Sequence, residues 1–230
     1  MRWSKVSSSG FGPSPEFMCR WVAAIAIVLA VALPASGIAG NQQYEPLSAS
    51  VRASLHSAVS DHASPEPMFA SESAKRRWLE AMSVRVARYI DDPRFRMEFL
   101  KTAYYEAQRA GLDPQLVLSV IQVESAFRKY AVSSAKARGY MQVMPFWVGL
   151  IGDDDDNLFH LRTNLRYGCT ILRHYVDIEK GNLFRALGRY NGSLGKARYP
   201  NLVLRAWRRN WHWNDGTVAA GDGASEAIAN

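Results

Sequence analysis

One glutamate on an otherwise apolar segment is the residue in this sequence best suited to chemistry. The segment Leu116–Phe127 reads LVLSVIQVESAF. Its polar residues Ser119 and Gln122 fall on one helical stripe together with Gln115, which precedes the segment. At about 100° per residue, Glu124 lies on the opposite, apolar side. Because burial disfavours the charged form of a carboxyl group, this placement suits a general acid. The structural alternative is a partly buried Glu that pairs with an Arg.

The surrounding sequence predicts helices and no strands. Asp113 followed by Pro114 is typical of an N-cap and first helical residue. Apolar stripes at helical spacing occur around residues 78–89, 95–103, 158–178, 183–190 and 202–207. No segment shows strand alternation long enough to form a sheet. We therefore expect an all-α fold.

The connections between these helices carry two further features. Residues 128–139 are small, polar and basic, which predicts a loop, and residues 141–152 predict a short apolar helix interrupted by Pro145. The acidic run Asp153–Asp156 lacks the ligand spacing of a calcium loop. We therefore expect it to cap the helix that follows rather than to bind a metal.

The N-terminal residues have the pattern of an export signal. An apolar run at residues 21–33 follows Arg2, Lys5 and Arg20, and small residues follow it. We expect residues 1–40 to be a cleaved signal peptide, since the run is short for a membrane span; an uncleaved anchor is the alternative. Residues 41–70 are predicted to be a flexible lead-in, 71–212 the folded domain and 213–230 a disordered tail.

Charge and cysteine content restrict the class of protein. The formal net charge is +7, and basicity by itself would favour a nucleic-acid partner. An exported protein, however, meets anionic polymers of the cell envelope first, so we expect no nucleic-acid partner and a periplasmic or secreted location. Once the signal is removed, Cys169 has no cysteine to pair with. Its place on an apolar stripe favours a buried core thiol over a nucleophile.

Three short segments, in order, resemble a known family. They are Glu124-Ser125-Ala126-Phe127, the run from Gly139 to Pro145 (GYMQVMP), and Tyr190-Asn191-Gly192. Together they are similar to the soluble lytic transglycosylases, peptidoglycan-cleaving enzymes related to goose-type lysozyme. The resemblance covers residues 96–195 and implies a lysozyme-like helical domain with a sugar-binding cleft. Tyr140 departs from the leucine that is usual in the family, which affects the expected shape of the cleft.

The resemblance assigns roles residue by residue. Glu124 matches the catalytic acid and base. Tyr190 matches a tyrosine whose hydroxyl helps to hold the catalytic carboxyl. The expected substrate-binding residues are Ser125, Ser133, Gln142, Met144, Tyr190 and Asn191. Core packing for Tyr190, and backbone hydrogen bonds for Gln142, are the alternatives that the residues themselves leave open.

The chemistry implied needs no metal and no cofactor. Most glycosidases use two carboxylates, whereas the sequence offers one well-placed carboxylate. The resemblance implies that Glu124 protonates the MurNAc–GlcNAc oxygen and that the MurNAc C6 hydroxyl then closes onto C1, giving a 1,6-anhydro end. A hydrolytic muramidase and a non-catalytic peptidoglycan-binding protein are the alternatives.

The C-terminal cluster Trp207, Arg208, Arg209, Trp211 and Trp213 has two interpretations. The aromatic rings could extend a glycan groove, with Arg pairing to peptide carboxylates. They could instead dock the last helix onto the domain. We favour docking, because large aromatic residues are mostly used for packing.

Overall fold

The computed structural model describes residues 42–60 and 69–214, which belong to one compact unit. They form eight α-helices and no β-strand, so the predicted all-α class is confirmed. The helices are α1 Ala49–Val59, α2 Glu72–Val86, α3 Pro93–Arg109, α4 Pro114–Ser125, α5 Phe146–Ile151, α6 Leu161–Ile178, α7 Leu183–Tyr190 and α8 Arg198–Ala206. A π-helical turn, Trp207–Trp211, follows α8 directly.

Helix α4 is the centre of the fold. Its N-terminus is fixed as predicted, since Asp113 Oδ1 accepts hydrogen bonds from the backbone N–H of Gln115 at 2.6 Å and of Leu116 at 3.1 Å. The side chains of Val117, Leu118, Val120 and Ile121 are fully buried. Helices α3 and α8 and the π-helical turn pack around α4, while α6 packs against α3 and α7. The carboxylate of α4 is therefore held by the most buried element of the domain.

For the described residues 42–60, the structure corrects the prediction of a flexible lead-in at residues 41–70. Within it, α1 buries Leu55 and Val59 against the domain. Its terminal carbonyls receive hydrogen bonds from Arg109, to Ala58, and from Arg166, to Val59 at 3.4 Å. The sequence carries a short signal for this helix, since Ser48 is an N-cap and Val51, Leu55 and Val59 recur at four-residue spacing. The sequence interpretation passed over this signal among the Ser and Ala residues.

The acidic run does not cap the next helix, which is a second correction. Helix α6 begins at Leu161, five residues after Asp156, and its N-cap residue His160 makes no side-chain capping hydrogen bond. Asp156 instead accepts hydrogen bonds from the Tyr167 hydroxyl at 2.5 Å and from the backbone of Asp153 at 3.2 Å. The run closes a turn of its own. Among the described residues, no group of three or more His, Cys, Asp or Glu side chains could hold a metal ion.

The C-terminal segment packs differently from the prediction. Helix α8 starts at Arg198 rather than Leu202, because Pro200 lies in its first turn, where a missing backbone N–H costs nothing. Trp213 lies partly buried on the core, and the guanidinium carbon of Arg85 is 6.0 Å from the centre of its ring. The folded part therefore extends past residue 212. The expected signal peptide and the residues from 215 onward lie outside the described residues. No described helix has the length and apolar character needed to span a membrane.

Cys169 is a buried free thiol that lies 4.0 Å from the Met141 sulfur. Burial raises the pKa of this thiol well above its usual range. The prediction of a core thiol, rather than a nucleophile, is confirmed.

Candidate active site

The end of α4 places Glu124 in the last helical turn and stops the helix abruptly. Ala126 and Phe127 both adopt left-handed backbone conformations, with φ of 49° and 62°. Non-glycine residues pay roughly 1–2 kcal/mol for such a conformation. Burial of the Phe127 ring offsets this cost, since it stacks on Tyr89 at 4.7 Å and contacts Trp211 at 5.4 Å.

The Glu124 carboxyl is buried, as predicted, with 5% of its surface exposed. Its Oε1 atom accepts a hydrogen bond of 2.6 Å from the hydroxyl of Tyr199. Burial, and then the Glu124 carboxyl, raise the pKa of Tyr199 well above its usual range, so the hydroxyl remains a donor at neutral pH. Tyr199 is a site residue that the sequence interpretation missed. Tyr199 directly precedes Pro200, and a proline is typical of a helix boundary. The sequence therefore predicted the last helix only from residue 202 and left Tyr199 outside it.

Tyr190 lies close to this carboxyl, but its hydroxyl has another partner. The hydroxyl donates to the Met141 carbonyl at 2.8 Å. Burial and the charge of Glu124 both raise the pKa of Tyr190. The expectation that Tyr190 holds the catalytic carboxyl by a hydrogen bond is therefore corrected. Tyr199 donates that hydrogen bond, whereas Tyr190 connects the end of α7 to the loop at residues 139–144.

That loop, which we call the bracing loop (residues 139–144), is fixed mainly by Asn164 of α6. The Asn164 side chain accepts a hydrogen bond from Met141 N and donates to the Arg138 and Leu158 carbonyls, each at 2.8 Å. Gly139 has φ of +75°, and a Cβ there would lie 2.4 Å from the Asn164 amide. Only glycine permits this close approach.

Gln142 and Ser133 make hydrogen bonds to the backbone of the connection between α4 and α5. The Gln142 amide is buried and donates to the Ala131 and Gly139 carbonyls at 3.1 and 2.9 Å. Ser133 is half-buried and accepts a hydrogen bond from Ala137 N at 3.1 Å. Both side chains thus stabilise the backbone of the connection between α4 and α5. Such backbone hydrogen bonding is the alternative that the sequence left open for Gln142. Contact with a substrate stays a prediction for both.

The other three expected residues have different surroundings. The Ser125 hydroxyl is buried and donates to the Ile121 carbonyl, one helical turn earlier. Met144 is half-buried, beside the start of α5. Asn191 is 4% exposed, and its amide nitrogen has no hydrogen-bond partner among the described residues. Substrate binding by these three residues stays a prediction.

A residue far from the three motifs also reaches the site. Gln42 is buried, and its carbonyl oxygen accepts from Met144 N at 3.3 Å and from the Trp147 indole at 3.0 Å. Its amide faces Tyr190 and opposes the rise of that tyrosine's pKa. The sequence interpretation placed Gln42 in a flexible lead-in and missed it.

Among the residues that the structure describes, no second carboxylate accompanies Glu124 in this cluster. Within the described part of the chain, Glu124 is the carboxyl that acts on both the Tyr190 and Tyr199 hydroxyls. Asp153, Asp154 and Asp155 are exposed, and Asp156 is engaged with Tyr167. The arrangement offers one buried carboxyl with one tyrosine donor, which is suited to proton transfer.

Comparison with known proteins agrees with this geometry. Residues 101–202 match the family described as Transglycosylase SLT domain. Three similar relatives share one name, membrane-bound lytic murein transglycosylase C. The protein of Actinobacillus pleuropneumoniae serotype 5b is 46% identical over 52 residues, which are 23% of this chain and 14% of the relative.

Two further relatives match over similarly short segments. The Haemophilus influenzae PittEE protein is 51% identical over 43 residues, 19% of this chain and 12% of the relative. The Mannheimia succiniciproducens protein is 40% identical over 52 residues, 23% of this chain and 15% of the relative. The matched segments thus span about a seventh of the length of these curated relatives.

Proposed function

We propose that this chain, whose residues 101–202 match the transglycosylase SLT domain family, is a peptidoglycan lytic transglycosylase in which Glu124 acts first as an acid and then as a base. The observation that carries the proposal is the buried Glu124 carboxyl bonded to Tyr199, with no second carboxylate in the described cluster.

The proposed reaction conserves all atoms of the glycan. Protonated Glu124 gives its proton to the glycosidic oxygen between MurNAc and GlcNAc, and the bond from that oxygen to C1 breaks. The 2-acetamido group stabilises the positive charge that develops at C1. Glu124, now a carboxylate, removes the proton of the MurNAc C6 hydroxyl, and O6 bonds to C1. The product is a 1,6-anhydro end, and no water is consumed.

The described residues support distinct roles in this scheme. Tyr199 is a positioning residue, since its hydroxyl fixes one oxygen of the Glu124 carboxyl. The Asn191 amide nitrogen is buried and has no hydrogen-bond partner among the described residues, so a small shift of this side chain on binding would let it donate to a sugar oxygen or acetamido group. The exposed ring of Tyr130, on the loop that follows α4, offers an aromatic surface of the kind that stacks on sugars. No metal or cofactor enters any step.

We also propose that the protein acts outside the cytoplasm, periplasmic or secreted. The apolar run at residues 21–33 and the formal charge of +7 support this location, since the substrate is an extracytoplasmic polymer. N-terminal sequencing of the protein recovered from a periplasmic fraction tests the cleavage expected between residues 37 and 40. An intact N-terminus in the membrane fraction would instead indicate the uncleaved anchor.

The decisive experiment is mass analysis of the muropeptides that the protein releases from purified sacculi. We expect anhydro-MurNAc ends from the wild type and none from Glu124→Gln. Glu80→Gln, which changes an exposed glutamate of α2, is the matched control and should release the same products as the wild type. Reducing ends would establish a hydrolytic muramidase. A wild type that binds sacculi without releasing any product would establish a non-catalytic binding protein.

A further inference from the structure

The C-terminal aromatic cluster divides into two parts with different surroundings. Trp211 is fully buried and its indole donates to Gln122 Oε1 at 2.7 Å, so this residue docks the π-helical turn onto α4 as the sequence favoured. Trp207 and Trp213 remain partly exposed. These two rings line a groove that the proposed reaction does not use.

This groove, which we call the rear groove, has a volume of about 950 Å³. It lies between the start of α4, the α6–α7 connection and the C-terminal segment. The residues that carry its chemistry are Arg173, Lys180, Phe184, Arg185, Trp207, Arg208 and Trp213. None of the candidate active-site residues lines it. It meets α4 at Asp113 and Leu116, and Glu124 lies about 12 Å beyond Leu116 along the helix at a rise of 1.5 Å per residue.

The charge of the rear groove is strongly one-sided. Four of its lining residues are Arg or Lys, and Asp113 is the one acidic lining residue. Arg173 is paired with Asp177, and Arg185 with Glu179. Lys180 and Arg208 are exposed, and no ion pair between described residues includes either one. The groove therefore retains positive charge that a ligand can neutralise.

The groove also offers apolar contact surface. Phe184 is 39% exposed, and the rings of Trp207 and Trp213 are half-buried along the same groove. Aromatic faces next to unpaired cations fit a ligand that alternates carboxylates with small apolar groups. A neutral sugar chain would use the aromatic rings and leave the cations unpaired, and an inorganic anion would do the reverse.

We propose that the rear groove binds the peptide stems of peptidoglycan. Stem peptides carry several free carboxylates and the methyl groups of alanine, whereas the glycan strand is uncharged once its lactyl groups are amide-linked to peptide. This inference rests on the proposed function, because it takes the cell wall to be the polymer on which the protein acts. Binding here would hold the enzyme on the wall while Glu124 acts on a glycan bond elsewhere.

The test uses full-length Glu124→Gln protein, which does not digest the polymer during the measurement. Its binding to intact sacculi by co-sedimentation is compared with that of the same protein carrying Lys180→Glu and Arg208→Glu. The control carries Arg76→Glu and Lys101→Glu, which reverse two exposed cations on α2 and α3 and so match the change in net charge. A third variant, Phe184→Ala, tests the aromatic contribution.

We expect the rear-groove reversal to weaken binding to intact sacculi about tenfold relative to the control reversal, because two attractions become two repulsions. The difference should vanish on glycan from which an amidase has removed the stems and whose freed lactyl carboxylates have been converted to amides, and on intact sacculi it should shrink with added salt. A purified stem tetrapeptide should bind the Glu124→Gln protein and not the reversal variant. Phe184→Ala should lower the affinity for the tetrapeptide severalfold without altering its salt dependence.

Equal binding of the two reversal variants to intact sacculi would overturn the proposal. A loss that persists on the uncharged, peptide-free glycan would overturn it in favour of a sugar site, and failure of the tetrapeptide to bind would overturn it in favour of an acidic protein partner. The release of anhydro-MurNAc ends by the wild type is measured separately. Failure of the proposed reaction and failure of the rear groove are therefore distinguishable.

Discussion

The hydrogen bond from Tyr199 to Glu124 is the contact on which proton transfer at this site depends most directly. The donor comes from the first turn of α8, 75 residues after the acid. A hydroxyl that donates to one carboxyl oxygen restricts rotation of the carboxyl and directs its other oxygen. The effect of this hydrogen bond on kcat can be measured separately from its effect on the free energy of unfolding.

Tyr199→Phe should lower kcat by about ten- to hundredfold, since a hydrogen bond to a charged group contributes about 1.5–3 kcal/mol. The change removes one oxygen and keeps the buried ring, so we expect KM to change little. The measurement is the rate of release of anhydro-muropeptides. Tyr190→Phe is the matched control, because its hydroxyl bonds a carbonyl; it should reduce stability by about 1 kcal/mol and kcat less than Tyr199→Phe. Full kcat in Tyr199→Phe would remove Tyr199 from the positioning role.

Cys169 should resist alkylation in the native protein. Burial raises the pKa of its thiol, so little thiolate forms at pH 8, and access is closed. Iodoacetamide labelling at pH 8, followed by peptide mass analysis, should show Cys169 unmodified in buffer and modified in urea. Rapid labelling of the native protein would mean that this part of the core opens readily.

At the scale of the elements, hydrogen bonds between segments that are distant in sequence hold the active site together. Asn164 of α6 fixes the bracing loop, Tyr190 of α7 binds the Met141 carbonyl, and Gln42 reaches the start of α5. The three motifs were identifiable from the sequence because each is local. The hydrogen bonds that connect the motifs were not identifiable, since a hydrogen bond between residues 42 and 147 leaves no periodic signal in the sequence.

Gln42→Met tests the brace from the N-terminal segment. The change keeps the volume and removes the acceptor of the Trp147 indole and Met144 backbone N–H groups, which are buried. We expect a loss of about 1–3 kcal/mol in the free energy of unfolding, a shifted Trp147 indole resonance in NMR spectra, and a reduced kcat. Gln43→Met, a change at the exposed neighbouring position, should alter none of these. An unshifted indole resonance would show that the brace is absent in solution.

At the scale of the whole molecule, a buried ionic cluster joins α1, α3 and α6. Glu106 is 1% exposed and lies 3.1 Å from Arg166, 3.6 Å from Arg109 and 3.7 Å from Arg162. Arg166 and Arg109 also bind the C-terminal carbonyls of α1. The cluster therefore connects the N-terminal segment to the domain that carries the site.

Glu106→Gln should lower the free energy of unfolding by about 3–5 kcal/mol, because Arg166 would be left buried and without its counter-ion. Urea denaturation followed by circular dichroism measures this loss. Glu72→Gln removes an exposed ion pair with Lys75 and should change stability by less than about 1 kcal/mol. Similar effects of the two changes would show that the Glu106 cluster is hydrated and unimportant for stability.

The sequence by itself determined the helical class, the start of α4, the bounds of α7, the burial of Glu124 and the core position of Cys169. Each depends on local spacing, caps or side-chain type, which act within a few turns of helix. Only the tertiary structure decided the partner of Glu124, the packing of α1, the separate turn of Asp153–Asp156 and the division of the C-terminal tryptophans. These depend on which distant segments meet, because a hydrogen-bond donor, a cation or an aromatic ring stabilises whichever partner the packing of the helices brings to it.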